Sequence, residues 1–137
     1  MKWVVGAAIP ALHIASVPTA GMKLVAALMN DPNPIHLDPA AVRALGLGDR
    51  LVNQGPITIS YLQTMLARAV GDAGRIVSFK ARFVANVFAG DRVDCVGTVD
   101  AVDGGAGLAS ILCQATVDGR PVVLATATIR LPRDDEA

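Results

Sequence analysis

Aromatic residues are scarce in this 137-residue chain: one Trp, one Tyr and three Phe, 4% of the sequence. Cysteine is thinner still. Cys95 and Cys113 sit inside apolar, strand-like runs with no metal-ligand spacing around them, so each is expected to serve as a small buried hydrophobe in a reducing cytoplasm. An excess of charge of either sign is also missing. Twelve basic and twelve acidic side chains are scattered to a formal net charge of +0, leaving no electrostatic footprint for nucleic acid or an anionic membrane. Long hydrophobic runs are absent as well, because Pro, Gly or charge interrupts every apolar stretch short of the roughly 20 residues that span a bilayer. The reading is therefore a soluble, cytoplasmic protein whose partners are small ligands, with no nucleic acid and no membrane.

What is present is apolar side chain, 53% of the sequence, enough for the core of one ordinary domain and not two. The opening MKWVVGAAIPALHIASV has the outline of a signal peptide, but Pro10 and His13 break its apolar run and no linker follows, so it is read as part of the fold. A single domain is expected over residues 1–132. Residues 133–137, with Asp134, Asp135 and Glu136, have nothing to bury and are expected to form a disordered tail.

The chain divides near residue 75. After it, Val77, Phe79, Ala81 and Phe83 alternate with Ser78, Lys80 and Arg82, the period of a strand with one dry face. Ala89-Gly90-Asp91 reads as a turn. Further strands are predicted at about 92–102, 108–117 and 121–131, the last two joined by Asp118-Gly119, a pair suited to a tight hairpin. Together they read as a four-stranded antiparallel meander. Before the divide, Ile59, Leu62, Met65, Leu66 and Ala69 recur at helical spacing in a run that opens at Gly55 and closes near Gly71. A long apolar helix followed by such a meander implies an α+β fold, an antiparallel curved sheet wrapped around the helix, since a lone sheet would leave its apolar face bare. The segment from Val4 to Ile14 would add an edge strand. Two shorter helices are predicted, one over about 19–29, the other from Pro39 to Gly46 with Asp38 as N-cap.

Between those two helices lies Asn30-Asp31-Pro32-Asn33-Pro34-Ile35-His36-Leu37-Asp38, where two prolines forbid a regular helix and stiffen the loop. It sets a carboxylate, an amide and an imidazole where their tips can converge. A carboxylate and an imidazole gripping one water can move the protons that addition of water to a conjugated double bond requires. One His among carboxylates lacks the three or four ligands that zinc would need, so no metal and no cofactor is expected. The residues alone leave a plainer reading open: Asp and Asn beside proline are ordinary turn formers, and a loop histidine is often merely exposed. His13, apolar in setting and without an acidic neighbour in sequence, is read as structural.

The run Asp31-Pro32-Asn33-Pro34-Ile35-His36-Leu37-Asp38 resembles the signature Asp-x-Asn-Pro-(Ile or Leu)-His-x-Asp of the MaoC-like dehydratases and (R)-specific enoyl-CoA hydratases. Most of the chain follows the same family in order: Ala41 to Leu47 fits its Ala-x-x-x-Gly stretch, Gly55 its glycine at the central helix, and Ala89-Gly90-Asp91 its Pro-Gly-Asp turn. The resemblance implies a hotdog fold. It further implies that Asp31 and His36 are the catalytic dyad, holding the water that adds to the β-carbon of a trans-2-enoyl thioester, on CoA or an acyl carrier protein, to give a 3-hydroxyacyl thioester. Gly55 would polarise the thioester carbonyl through its N–H. Asn33, Gln54 and Ser60 are the expected substrate-binding residues, Asn33 as support for the loop or the dyad; Gly55 can also be read as a glycine needed only for a tight helix entry.

Two departures stand out. Met29-Asn30 replaces the family's Ser-Gly before the aspartate, and Gln54-Gly55-Pro56 replaces its His-Gly-Met; Gln54 can hydrogen-bond but not titrate, and Pro56 has no N–H to offer. Three readings follow: a self-sufficient hydratase or dehydratase, the catalytic chain of a heteromer of hotdog subunits, or a non-catalytic acyl-binding partner in one. A thioesterase is disfavoured by the Asp-x-Asn-Pro-Ile-His pattern. Each version expects an oligomer, a homodimer or a pairing with another hotdog chain, because open strand edges seek partners.

Overall fold

The computed structural model describes residues 1–133, so residues 134–137 of the expected tail lie outside the described residues. The chain runs β1 (Ala8–Ile14), α1 (Ala20–Leu28), a 3-10 turn at Pro34–His36, α2 (Pro39–Ala44), α3 (Gly55–Val70) and a second 3-10 turn at Ala73–Arg75. Then come β2 (Ile76–Phe83), β3 (Val93–Asp103), β4 (Leu108–Val117) and β5 (Arg120–Arg130). These form the α+β hotdog arrangement, one antiparallel sheet curved around α3.

The helix starts where Pro56 is tolerated, in the first turn, and stops at Gly71, whose left-handed φ of 81° suits glycine. Its stripe of Thr58, Leu62, Met65, Leu66 and Val70 is buried. Against it stand the inward rows of the sheet: Val93, Cys95 and Val99 on β3, Ala109, Ile111, Cys113 and Ala115 on β4, Val123, Ala125, Ala127 and Ile129 on β5. Burial pushes the Cys95 thiol up to about 11 and the Cys113 thiol to about 12, so both stay protonated and behave as the small hydrophobes expected. Asp118 and Gly119 adopt φ of 51° and 76° in the β4–β5 hairpin, the conformation for which an Asp-Gly pair is suited.

The strand order, β1-β3-β4-β5-β2, corrects the expected meander. Only β3, β4 and β5 are consecutive neighbours. β2 pairs instead with β5, from Ile76 opposite Ile129 to Phe83 opposite Val123, and forms one edge of the sheet, with β1 at the other. The reason is the 84–92 connection. Val84 and Ala85 N–H both bond the Val122 carbonyl, while Val87 O accepts from Asn53 N–H and Ala89 N–H donates to Leu51 O. Those bonds tie the loop to the segment before α3, and the turn ending at Asp91 comes after them; it cannot fold β3 back onto β2.

The dry face of β2 also differs from expectation. A bulge between Ile76 and Ser78 puts Ile76, not Val77, in register with the inner row, and leaves Val77 51% exposed. Phe83, at the other end of the strand, is 50% exposed.

Leu62 is fully buried at the middle of the α3 stripe. Leu62→Ala is expected to lower unfolding free energy by about 2–5 kcal/mol in urea titration, the range for a core truncation that leaves a cavity.

Candidate active site

The loop after α1 is held by its own polar side chains. Asn30 takes a left-handed φ of 49°, and the Asp31 N–H donates to Ala26 O, closing the helix. Asp31 Oδ1 accepts from the Asn33 N–H at 3.1 Å, and Asn33 Oδ1 accepts from the Ile35 N–H at 3.3 Å, which caps the 3-10 turn that Pro34 opens. Asp38 caps α2 through the Ala40 N–H, the structural role expected of it. The loop is rigid because each short side chain engages the backbone two residues on.

His36 is the buried member of this loop, 8% exposed. Its Nδ1 lies 2.7 Å from the Val52 carbonyl oxygen. A carbonyl can only accept, so Nδ1 carries the proton and Nε2 of the neutral ring is left with a lone pair. Nε2 faces Asp31 Oδ2 at 3.4 Å. With Oδ1 engaged by the Asn33 N–H, Oδ2 is the carboxylate oxygen turned to the ring. At 3.4 Å the separation exceeds the 2.7–2.9 Å of a tight charge-assisted bond, leaving both groups able to grip a third atom.

Beside the ring lies a cavity of about 270 Å³, lined among others by Asn33, His36, Asn53, Gly55, Thr58 and Phe83. Asp31 does not line it; its carboxylate stands against the imidazole that does. Gly55 opens α3 on this cavity. Ile57 and Thr58 N–H both bond Gln54 O, at 3.0 and 3.2 Å, and Pro56 has no N–H. The Gly55 N–H is therefore the first-turn amide without an acceptor among the described residues, at the positive end of the helix dipole. An imidazole backed by a carboxylate, and a free helix N-terminal N–H, on one cavity can move a proton and stabilise an oxyanion.

Comparison with known proteins gives the family. The sequence model of the MaoC like domain matches residues 11–117. The chain belongs to the MaoC-like family. Among solved structures, the A. caviae (R)-hydratase involved in PHA biosynthesis is 27% identical with a TM-score of 0.83, over 94% of this chain and 97% of that one. An R-hydratase from Pseudomonas aeruginosa, 22% identical over 96% and 83% of the two chains, superposes with a TM-score of 0.82. The ChsH1-ChsH2 complex of Mycobacterium tuberculosis matches with a TM-score of 0.81 and 22% identity, over 96% of this chain and 100% of that one. A search of curated protein sequences finds no match.

Within this MaoC-like chain, the structure brings Asp31, Asn33, His36 and Gly55 together and leaves two expected binding residues elsewhere. Gln54 is 2% exposed and turns into the core, where Nε2 donates to Met22 O at 2.7 Å and ties α1 to the start of α3. Its Oε1 is buried with no hydrogen-bond partner among the described residues. Ser60 lies in a separate depression with Gln63, Thr64 and Ala67, its Oγ donating to Ile57 O at 2.6 Å. The helical period explains the miss: five residues past Gly55, Ser60 falls on a face turned from the one that carries Thr58, which lines the cavity.

Sequence reasoning missed Val52, Asn53 and Thr58. Asn53 Nδ2 donates to Thr58 Oγ1 at 3.0 Å, and burial raises the phenol of neighbouring Tyr61 above its ordinary pKa. Its position two residues before the glycine was the one available signal. His13, read as structural, finds an acidic partner in the fold that its sequence neighbours do not supply. Strand pairing brings it opposite Asp94, with Nδ1 2.6 Å from Oδ1, and this bond, with Arg92, lowers the Asp94 pKa. The pair is on the β1–β3 surface and serves the strand edge.

A larger depression, about 760 Å³, lies on the outer sheet face between Lys80, Leu112 and Gln114. It is far bigger than the dyad cavity, but it holds no acid–base pair. Among the described residues no group of three or more His, Cys, Asp or Glu side chains is placed to hold a metal, and no helix is long and apolar enough to cross a membrane.

Gln54→Ala would remove the side-chain bond between α3 and α1 and leave a void where a 2%-exposed side chain stood. The expected result is a loss of about 1–3 kcal/mol of stability, read from the urea midpoint.

Proposed function

We propose that this MaoC-like chain catalyses the reversible addition of water to a trans-2-enoyl thioester, carried on CoA or an acyl carrier protein, to give the 3-hydroxyacyl thioester. The observation that carries the reading is the pair His36 Nε2 and Asp31 Oδ2, 3.4 Å apart, beside a cavity onto which Gly55 opens. Water held between the two groups loses a proton to the dyad as its oxygen bonds the β-carbon. The π electrons of the double bond move toward the carbonyl, and negative charge grows on its oxygen. The Gly55 N–H, at the helix N-terminus, stabilises that oxyanion. The dyad then returns a proton to the α-carbon as the carbonyl re-forms. Both protons are handled from one short loop, so hydrogen and hydroxyl add to the same face. Asn33 acts by bracing the loop, through Ile35, and by its N–H to Asp31.

A second reading is carried by the edge strand β2. Val77 on it and Val84 just past its end are 51% and 45% exposed, an apolar margin that a second hotdog subunit would cover. Among the structural neighbours are the ChsH1-ChsH2 complex and an HadBC (3R-hydroxyacyl-ACP dehydratase) complex. In that version this chain is the catalytic member of a heteromer, since it holds the dyad; a non-catalytic, acyl-binding role would leave the dyad without use.

The test is ultraviolet loss of the conjugated enoyl-thioester absorbance with crotonyl-CoA. Asp31→Asn and His36→Ala are each expected to lower kcat by about 10²–10⁴, the usual contribution of a general acid or base, with circular dichroism unchanged. Near-wild-type rates in both variants would overturn the reading. A folded, inactive chain that gains activity with a second hotdog subunit would establish the heteromer.

A further inference from the structure

We propose that Phe83 is a specificity-determining residue that walls the cavity beside Gly55 and restricts the enzyme to short, linear enoyl groups. The inference rests on the cavity's being the thioester site. A Cβ built on Gly55 would meet Phe83 Cζ at 2.8 Å, Cε1 at 3.2 Å and Cε2 at 3.4 Å. The tip of the ring thus lies against the one helix residue that has no side chain, beside the N–H that faces the substrate carbonyl. Glycine at 55 serves here as a close-approach residue: it admits the aromatic wall as well as the thioester.

The wall has a fixed base and a loosely held ring. Phe83 ends β2 in register with fully buried Val123, and the next two N–H groups, of Val84 and Ala85, both bond Val122 O, pinning the backbone. The side chain itself is half exposed, unusual for one of only three Phe in the chain, and it lines the cavity together with His36. Its position is explained by the cavity it closes better than by the core, which it joins only at the edge.

Volume decides what fits. The cavity of about 270 Å³ holds roughly nine water-sized centres at about 30 Å³ each. A crotonyl thioester places four carbons, its oxygen, its sulfur and the reacting water there, about seven centres; an octenoyl group needs about eleven on the same basis. With Phe83 in place the shorter group fits within this volume, while the longer one must displace the ring or project past it. Removing the ring opens the wall toward the exposed end of β2.

The experiment measures kcat/KM for crotonyl-CoA and trans-2-octenoyl-CoA with the full chain in its native assembly, for wild type, Phe83→Ala, Phe83→Leu and Phe83→Trp. Each methylene admitted or refused by an apolar pocket changes discrimination by about 10-fold or more. The octenoyl-to-crotonyl ratio is expected to rise at least tenfold in Phe83→Ala, less in Phe83→Leu, and to fall in Phe83→Trp. A ratio that stays within twofold of wild type in all three, or rates that drop equally for both substrates, would overturn the proposal while leaving the hydratase reading intact. If wild type hydrates neither substrate, under conditions where it is folded and assembled, the functional reading itself fails.

Discussion

One hydrogen bond, from His36 Nδ1 to the Val52 carbonyl at 2.7 Å, sets the chemistry available to the site. It fixes the tautomer, and with it which nitrogen is basic. Were the ring to rotate, Nε2 would no longer face Asp31 and the dyad would be lost. The acceptor is backbone, so no side-chain substitution at Val52 removes it. What can move it is the segment to which it belongs.

That segment is a junction. Val52 N–H donates to Ile35 O, within the loop that carries Asp31 and His36, while Asn53 N–H and Leu51 O bond Val87 and Ala89 of the 84–92 connection. Arg50 adds a clamp: its Nη1 bonds Asp91 Oδ1 at 2.7 Å and Ala89 O at 3.1 Å, and its guanidinium stacks 5.2 Å from the Phe88 ring centre. Three consecutive residues therefore tie the dyad loop, the start of α3 and the connection between β2 and β3 into one unit. The price of this geometry is the edge position of β2, since the connection that walls the cavity cannot also make a tight hairpin. Fold topology and site geometry have a common cause.

Much of this is legible in the order of the residues alone. The 3.6 and 2.0 periodicities locate α3 and the strands, and the spacing of Asp31, Asn33 and His36 marks the loop, because local backbone chemistry of proline and Asx residues is written in consecutive positions. Long-range pairing is not. Nothing in 76–93 distinguishes a strand that folds back on its successor from one that crosses to a distant edge; the decision lies in hydrogen bonds to residues 51–53 and Val122. The same limit explains His13, whose acidic partner Asp94 is remote in sequence, and Gln54, which reads as a site residue because it precedes Gly55 yet turns to Met22. A bulge of one residue at Val77 is likewise invisible to a strict two-residue period.

In the proposed reaction one loop, from one side of the cavity, manages both protons. Hydration of crotonyl-CoA in deuterium oxide, with the configuration at C2 of the 3-hydroxybutyryl product read by NMR, tests it most directly. The deuteron at C2 and the hydroxyl at C3 are expected on the same face. Deuterium delivered to the opposite face would require a second acid on the far wall and would contradict the assignment of the dyad.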